Sequence, residues 1–209
     1  AAVGDNVPLL SPNGSPMKDH SAADLTDDVR IHGAQPLITP WVLAEELPLP
    51  SAQRHEIAGA RRAIERVLAG EDRRMLAIVG PCSVHDPAAL LEFASQLQTA
   101  CAPLSDAILP VLRVYFEKPR TVVGWKGLIN DPDLDGSFRI NKGLRQARRV
   151  LLDVAALGLP AASEFLDTTF GQYYADLVSF GAIGARTVES QIHRELASGL
   201  SMPVGFKNG

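Results

Sequence analysis

Apolar positions along this chain fall into two alternating rhythms. From about Ser51 to Leu68, Ile57, Ala60, Ile64, Val67 and Leu68 recur at helical spacing, with Ser51 as an N-cap and Gly70 as a stop. Met75 to Gly80 (MLAIVG) is then short and continuously apolar, as a buried strand is. Pro87 to Thr99 reads as a helix, residues 110–116 as a second strand, and Phe138 to Leu157 as a long helix ended by Gly158. Pro160 to Leu166 is a third strand, Gln172 to Phe180 a short helix, and Gly181 to Arg186 a fourth strand. Glu189 to Leu200 is a helix and Pro203 to Lys207 a fifth strand.

Strands alternating with helices predict an α/β fold with a parallel sheet and right-handed crossovers. The alternation leaves two closures open, a doubly wound sheet and a (β/α)8 TIM barrel. Polar residues favour the barrel. Cys82, Arg113 with Lys118, Glu164, Arg186 and Lys207 stand at or just after the ends of successive strands, where barrel enzymes build their sites. Five strands do not close such a barrel, so a barrel interrupted after about five β/α units is expected. Ahead of it, residues 1–45 read as a separate tail and arm, and 46–209 as the partial barrel. The stretch to about Thr26 is rich in Gly, Pro, Ser and Asp without a period, and Val29 to Pro40 reads as an edge strand or clamp.

Composition narrows the picture. Of 209 residues, 46% are hydrophobic and 21% charged, with net charge −4, which is globular and gives no basic face for nucleic acid. No apolar run approaches the ~20 residues of a membrane span, and no secretory signal opens the chain. Two cysteines, Cys82 and Cys101, lack disulfide-framework spacing, which fits a reducing cytoplasm.

Against this acidic background, the stretch VLRVYFEKPRTVVGWKGLINDP (Val111 to Pro132) concentrates cations. Arg113 interrupts an apolar strand, Lys118 and Arg120 follow at once, Thr121 adds a hydroxyl and Lys126 a further cation. Buried cations require an anionic partner. One reading is a salt-bridged strand end with Glu117 as that partner. The other is a cradle for phosphate or carboxylate, to which guanidinium forks are suited. Arg186 in GAIGAR and Lys207 share the same inferred rim. Gly181 and Gly184 allow close approach there, the Ala185 amide is a donor, and Glu164 either orients a cation or pairs with Arg186. In Gly80-Pro81-Cys82-Ser83-Val84-His85-Asp86, Cys82 reads as a metal ligand or a buried structural thiol, and Asp86 before Pro87 as an N-cap. His193 is assigned to helix packing or surface.

GPCSVHDP, LRVYFEKPRTVVGWKGLINDP, INKGLRQARRVLLD, EFLD, GAIGARTVESQIHRELASGL and PVGFKNG together resemble the class I, microbial type of 3-deoxy-D-arabino-heptulosonate 7-phosphate (DAHP) synthase, over roughly residues 50–209. The resemblance implies a (β/α)8 barrel with an N-terminal extension. It implies an enzyme of the shikimate pathway that condenses phosphoenolpyruvate with D-erythrose 4-phosphate and releases phosphate. Carried over by motif, Cys82 is a ligand of a divalent metal of the Mn, Fe, Co or Zn class. Arg113, Lys118, Arg186 and Lys207, with the Ala185 amide and Glu164 close by, bind phosphoenolpyruvate. Arg120 and Thr121 contact erythrose 4-phosphate. The family's other metal ligands and one further arginine come from later strands, so the sequence is expected to be an N-terminal part of the enzyme, inactive by itself.

The implied chemistry is metal activation of the aldehyde, attack by C3 of phosphoenolpyruvate, water addition at C2 and loss of phosphate. An aromatic amino acid effector is implied near Gly171, Gln172 and Ser201, and a homo-oligomer for the full-length protein. Two alternatives stand beside it: a 3-deoxy-octulosonate 8-phosphate synthase, disfavoured by KPRT and GWKGLINDP, and a non-catalytic protein that binds an aromatic amino acid.

Overall fold

The computed structural model describes residues 34–120 and 122–208. Two compact units divide the chain at residue 37. The described part of the first, residues 34–37, holds no helix or strand, and the predicted tail to Thr26 lies outside the described residues.

The second unit opens with α1 (Pro40–Glu46), which the sequence reading missed. Its start has a clear cause: Thr39 Oγ1 accepts from the Val42 amide, and Pro40 occupies the first turn, where its missing N–H costs nothing. The predicted edge strand over Val29 to Pro40 is therefore corrected for its described part, because that proline begins a helix. α2 (Ser51–Leu68) matches its expected span, although Pro50 rather than Ser51 stands at the cap and Leu68 is exposed. Then come β1 (Met75–Val79), α3 (Pro87–Cys101), β2 (Ile108–Arg113), α4 (Ile140–Ala156), β3 (Ala161–Glu164), β4 (Phe180–Ile183), α5 (Gln191–Gly199) and β5 (Val204–Phe206). Asp86 caps α3 by accepting from the Ala88 and Ala89 amides, as its place before Pro87 predicts.

All strand pairs are parallel and run in the order β1-β2-β3-β4-β5. A doubly wound sheet reverses its order at a switch point; this one never does. Of the two closures, the described residues form the arc of a barrel, a half-barrel of five strands.

Side-chain alternation sorts the two faces. Leu109, Val111 and Ala162 pack together with Leu76, Ile78 and Phe180 on the inner face, and Ile64 of α2 closes that cluster. Arg61, also on α2, donates to the carbonyls of Ala175 and Val178, just before β4, which fixes α2 across the N-terminal ends of the strands. On the outer face Leu112, Ala161 and Ile183 meet Leu90 of α3 and Leu144, Leu151 and Val154 of α4. Burying each such leucine contributes roughly 1.5–3 kcal/mol. Arg148 of α4, 2% exposed, fastens this layer: it donates to Leu47 O and Tyr173 O and forms a two-pronged ion pair with Asp176.

Three predicted elements differ. The expected helix over Gln172 to Phe180 is two 3-10 turns, Phe170–Tyr173 and Ala175–Leu177, with Phe180 already in β4. The second strand ends at Arg113 rather than residue 116, so Arg113 is its final residue and not an interior one. Arg186 lies beyond β4, in the 3-10 turn Ala185–Thr187.

Candidate active site

A side chain two residues further along a strand faces the same way. That rule places part of the site. Leu109 and Val111 point inward, so Arg113, Tyr115 and Glu117 follow on the inner side as β2 runs out. Ala162 points inward, and so does Glu164. Together with Cys82 after β1, Arg186 after β4 and Lys207 after β5, they line one cavity of about 590 Å³ at the C-terminal ends of the strands. Lys118, Arg120 and Ala185 line it too.

The long connection from β2 to α4 presents Lys118 and Arg120, and its glycines explain its shape. Glu117 and Gly127 form an antiparallel bridge, and the Lys118 amide donates to Lys126 O at 2.9 Å. Gly127 has φ +115°, and a Cβ there would lie 2.1 Å from Phe116 O, so only glycine fits. Beyond it the Trp125 indole donates to Asp131 O at 2.7 Å, and the Asp131 carboxylate accepts from the Gly136 amide. Thr121 lies outside the described residues, and Lys126 is exposed and does not line the cavity.

Within the cavity, Arg113 donates through Nη2 to Cys82 O at 3.1 Å, while its buried Nε has no hydrogen-bond partner. Its guanidinium carbon stands 4.1 Å from the centre of the Tyr115 ring, and Lys207 Nζ stands 5.2 Å from the same centre. Lys207 also pairs with Glu164, which the sequence reading had offered to Arg186. Lys118 Nζ donates to Cys82 Sγ at 3.2 Å. That hydrogen bond, and then the Lys118 charge, hold the Cys82 thiol below its ordinary pKa against a smaller effect of desolvation. Cys82 is exposed, which corrects the alternative of a buried structural thiol.

Glu117 corrects the other local alternative. It forms no ion pair among the described residues, so it does not neutralise the neighbouring cations. It is buried, accepts from the Asp167 amide at 3.3 Å, and so ties the cationic loop to the segment after β3. Burial pushes its carboxyl up to about 7, against smaller opposing effects of the Asp167 and Leu166 amides. Two further residues escaped the sequence reading as parts of this region. Tyr115 is nearly buried beneath the cations. His193 does more than pack its helix: its ring nitrogens meet Ser190 Oγ and Leu166 O at 2.8 Å each, joining α5 to the cavity wall.

The other predicted residues scatter. His85 and Asp86 line a separate cavity of about 300 Å³ with Phe93. Ser201 lines another, of about 320 Å³, with Arg54, Arg61 and Asp176. Gly171 and Gln172 do not line that one; Gly171 is buried so tightly that a Cβ would lie 2.8 Å from the Phe165 ring. Among the described residues no three His, Cys, Asp or Glu side chains come together as a metal site. An exposed thiol with a lowered pKa suits Cys82 as one ligand of a divalent ion.

Residues 50–209 match the model of the DAHP synthetase I family. The chain belongs to that family. Among DAHP synthetase I relatives, it is 58% identical over 183 residues to the Phe-sensitive phospho-2-dehydro-3-deoxyheptonate aldolase of Escherichia coli strain K12, covering 88% of this chain and 52% of that protein. It is 56% identical over 184 residues to the Trp-sensitive enzyme of Buchnera aphidicola from Acyrthosiphon pisum, covering 88% and 53%. The solved structure of phospho-2-dehydro-3-deoxyheptonate aldolase from Francisella tularensis SCHU S4 superposes with a TM-score of 0.83 at 52% identity, over 86% of this chain and 52% of that one. The chain thus spans about half the length of the family members it matches.

Proposed function

We propose that this chain carries the phosphoenolpyruvate-binding part of a DAHP synthase, an enzyme with a (β/α)8 barrel that condenses phosphoenolpyruvate with D-erythrose 4-phosphate in the shikimate pathway. The observation that carries the reading is the cavity at the strand ends, where Arg113, Lys118, Arg186 and Lys207 converge while the nearest carboxyls are partnered: Glu164 by Lys207, and Glu117 by a backbone amide. Such an arrangement suits a ligand with a phosphate and a carboxylate on the same carbon, whose charges repel unless a fixed set of cations meets both. Arg113 Nε, buried and unpartnered, is a donor such an anion would satisfy. Lys118, Arg186 and Lys207 are assigned to hold the phosphoenolpyruvate in place while C3 attacks the aldehyde, water adds at C2 and phosphate leaves from the adduct, with Glu164 setting the position of the Lys207 ammonium. The Ala185 amide is a further donor to the same anion. Orientation of two small anions in this way accounts for much of such a rate. Arg120 and Thr121 are assigned to the sugar phosphate.

Cys82 would hold a divalent metal ion, which when bound supplies Lewis acidity to an aldehyde oxygen. Regulation by an aromatic amino acid is inferred from relatives whose names include Phe-sensitive and Trp-sensitive. Gly171, Gln172 and Ser201 are the residues assigned to it, and a homo-oligomer is the assembly expected.

Calorimetric titration of the chain with phosphoenolpyruvate tests the reading. Binding is expected, and Arg186→Ala is expected to weaken it by more than ~1.5 kcal/mol, the scale of one charge-assisted hydrogen bond. Absence of binding by the wild-type chain, or unchanged affinity on replacing Arg186, overturns it.

A further inference from the structure

We propose that Tyr115 is a positioning residue of the anion cradle: its ring attracts both Arg113 and Lys207 without taking up their hydrogen-bond donors, so that Arg113 Nε and the Lys207 ammonium donors not spent on Glu164 stay open to the substrate. This rests on the phosphoenolpyruvate reading above and assigns a residue to it that neither motif nor charge singles out.

Two cations placed near each other need something to offset their repulsion. Glu164 offsets part of it by pairing with Lys207, but it takes up one ammonium donor in doing so, and a second carboxylate would take up more and compete with the incoming anion. An aromatic face attracts cations through its quadrupole and accepts none of their in-plane N–H bonds. The distances fit that role: 4.1 Å from the ring centre to the Arg113 guanidinium carbon and 5.2 Å to Lys207 Nζ, both inside the ~6 Å range of the interaction. The two cations come from opposite parts of the arc, Arg113 from the end of β2 and Lys207 from just beyond β5. The Tyr115 ring is therefore a common reference for two elements that do not pair with each other.

The ring is itself held. Tyr115 is 6% exposed, and its carbonyl accepts from the Val84 amide at 2.8 Å, which ties it to the loop that carries Cys82. Gly80 lies against Arg113, where a Cβ would stand 2.7 Å from Arg113 O, so backbone is packed on backbone beneath the guanidinium. Arg113 spends one donor on Cys82 O and keeps Nε unpartnered. The charge of Arg113 is thus stabilised by the ring, while part of its hydrogen-bonding capacity remains open to an anion.

Calorimetry with phosphoenolpyruvate, on wild-type chain and position-115 variants, tests this. Tyr115→Phe keeps the ring face and should bind within about twofold of wild type. Tyr115→Leu should bind about tenfold more weakly, the worth of two half-buried cation–π contacts. A fluorinated series at position 115, from phenylalanine to pentafluorophenylalanine, preserves shape while draining the quadrupole, and so serves even where leucine impairs folding. Affinity should fall stepwise along it while the circular dichroism spectrum stays constant. A flat fluorination series, or a Tyr115→Phe loss as large as that of leucine, overturns the role of the ring. Loss of phosphoenolpyruvate binding in the wild type overturns the cradle reading instead, and the role of the ring with it.

Discussion

Replacing Glu117 by glutamine should stabilise the chain, and by an amount that depends on pH. The Glu117 carboxyl is buried and pushed from an ordinary value of 4.5 up to about 7, chiefly by desolvation. The unfolded chain therefore releases this proton near 4.5, whereas the folded chain retains it until about 7. Below 4.5 the carboxyl is neutral in both states and costs nothing extra. As pH rises from there, ionisation favours the unfolded state, by ~1.4 kcal/mol for each unit between the two values. Above about 7 the loss levels off at about 3 kcal/mol, an order-of-magnitude figure. Glutamine cannot ionise, keeps a carbonyl oxygen to accept from the Asp167 amide, and has nearly the same shape. Asp167 and Glu164, which face Glu117, raise its carboxyl further by repelling its charge, and Tyr174 feels the same charge; glutamine removes these interactions too, so they are part of the gap that is measured. Urea unfolding of wild type and Glu117→Gln at half-unit steps from pH 4.5 to 8.5 provides the assay. The stability gap should open through this window and then stay flat. A gap independent of pH would refute the buried, shifted carboxyl.

Three other outcomes follow from the geometry. At neutral pH Cys82 should alkylate faster than Cys101, and Lys118→Met should slow Cys82 alone, because Lys118 is the largest cause of its lowered pKa; peptide mapping after iodoacetamide reads both. Arg148→Met should cost more than ~2 kcal/mol of stability in urea unfolding, since it strands the carbonyls of Leu47 and Tyr173 and the carboxylate of Asp176. Gly127→Ala should destabilise by at least ~1–3 kcal/mol and weaken phosphoenolpyruvate binding, because a clash with Phe116 O and a left-handed φ both displace the loop that presents Lys118; equal affinity in calorimetry would contradict that coupling.

Much of the architecture was legible where a pattern was long. α2, α3 and α4 have enough turns for the 3.6-residue period to stand out, and their spans agree with the pattern within one or two residues at most ends. Short segments misled. Pro40 reads as the end of an edge strand or clamp, although Thr39 before it is a capping residue, a pair of signals that together announce a helix start. The apolar run of residues 110–116 reads as one strand, yet β2 ends at Arg113, because apolarity alone does not mark where pairing stops. At the site, the cations could be found from sequence because a charge in an apolar run is conspicuous. Tyr115 and Glu117 could not be given roles: an aromatic in such a run looks like core, and an acid beside three cations looks like their counterion. Only the turn of the chain after β2, which sends Glu117 toward Asp167, separates the two.

The sequential order of the strands bears on how the cradle comes into being. Sheet neighbours are also neighbours along the chain, so three of the links in the site close loops of similar, modest length: 31 residues from Cys82 to Arg113, 36 from Cys82 to Lys118, 43 from Glu164 to Lys207. Loop-closure entropy grows only slowly with length, so none of these three is much harder to form than the others. During synthesis the Cys82, Arg113 and Lys118 corner can form before Glu164 has been made. Lys207 arrives last of these groups, and with it the second cation at the Tyr115 ring. On the ribosome the site therefore acquires its charge in stages, and Lys207 adds to its pull on an anion only when β5 docks against β4.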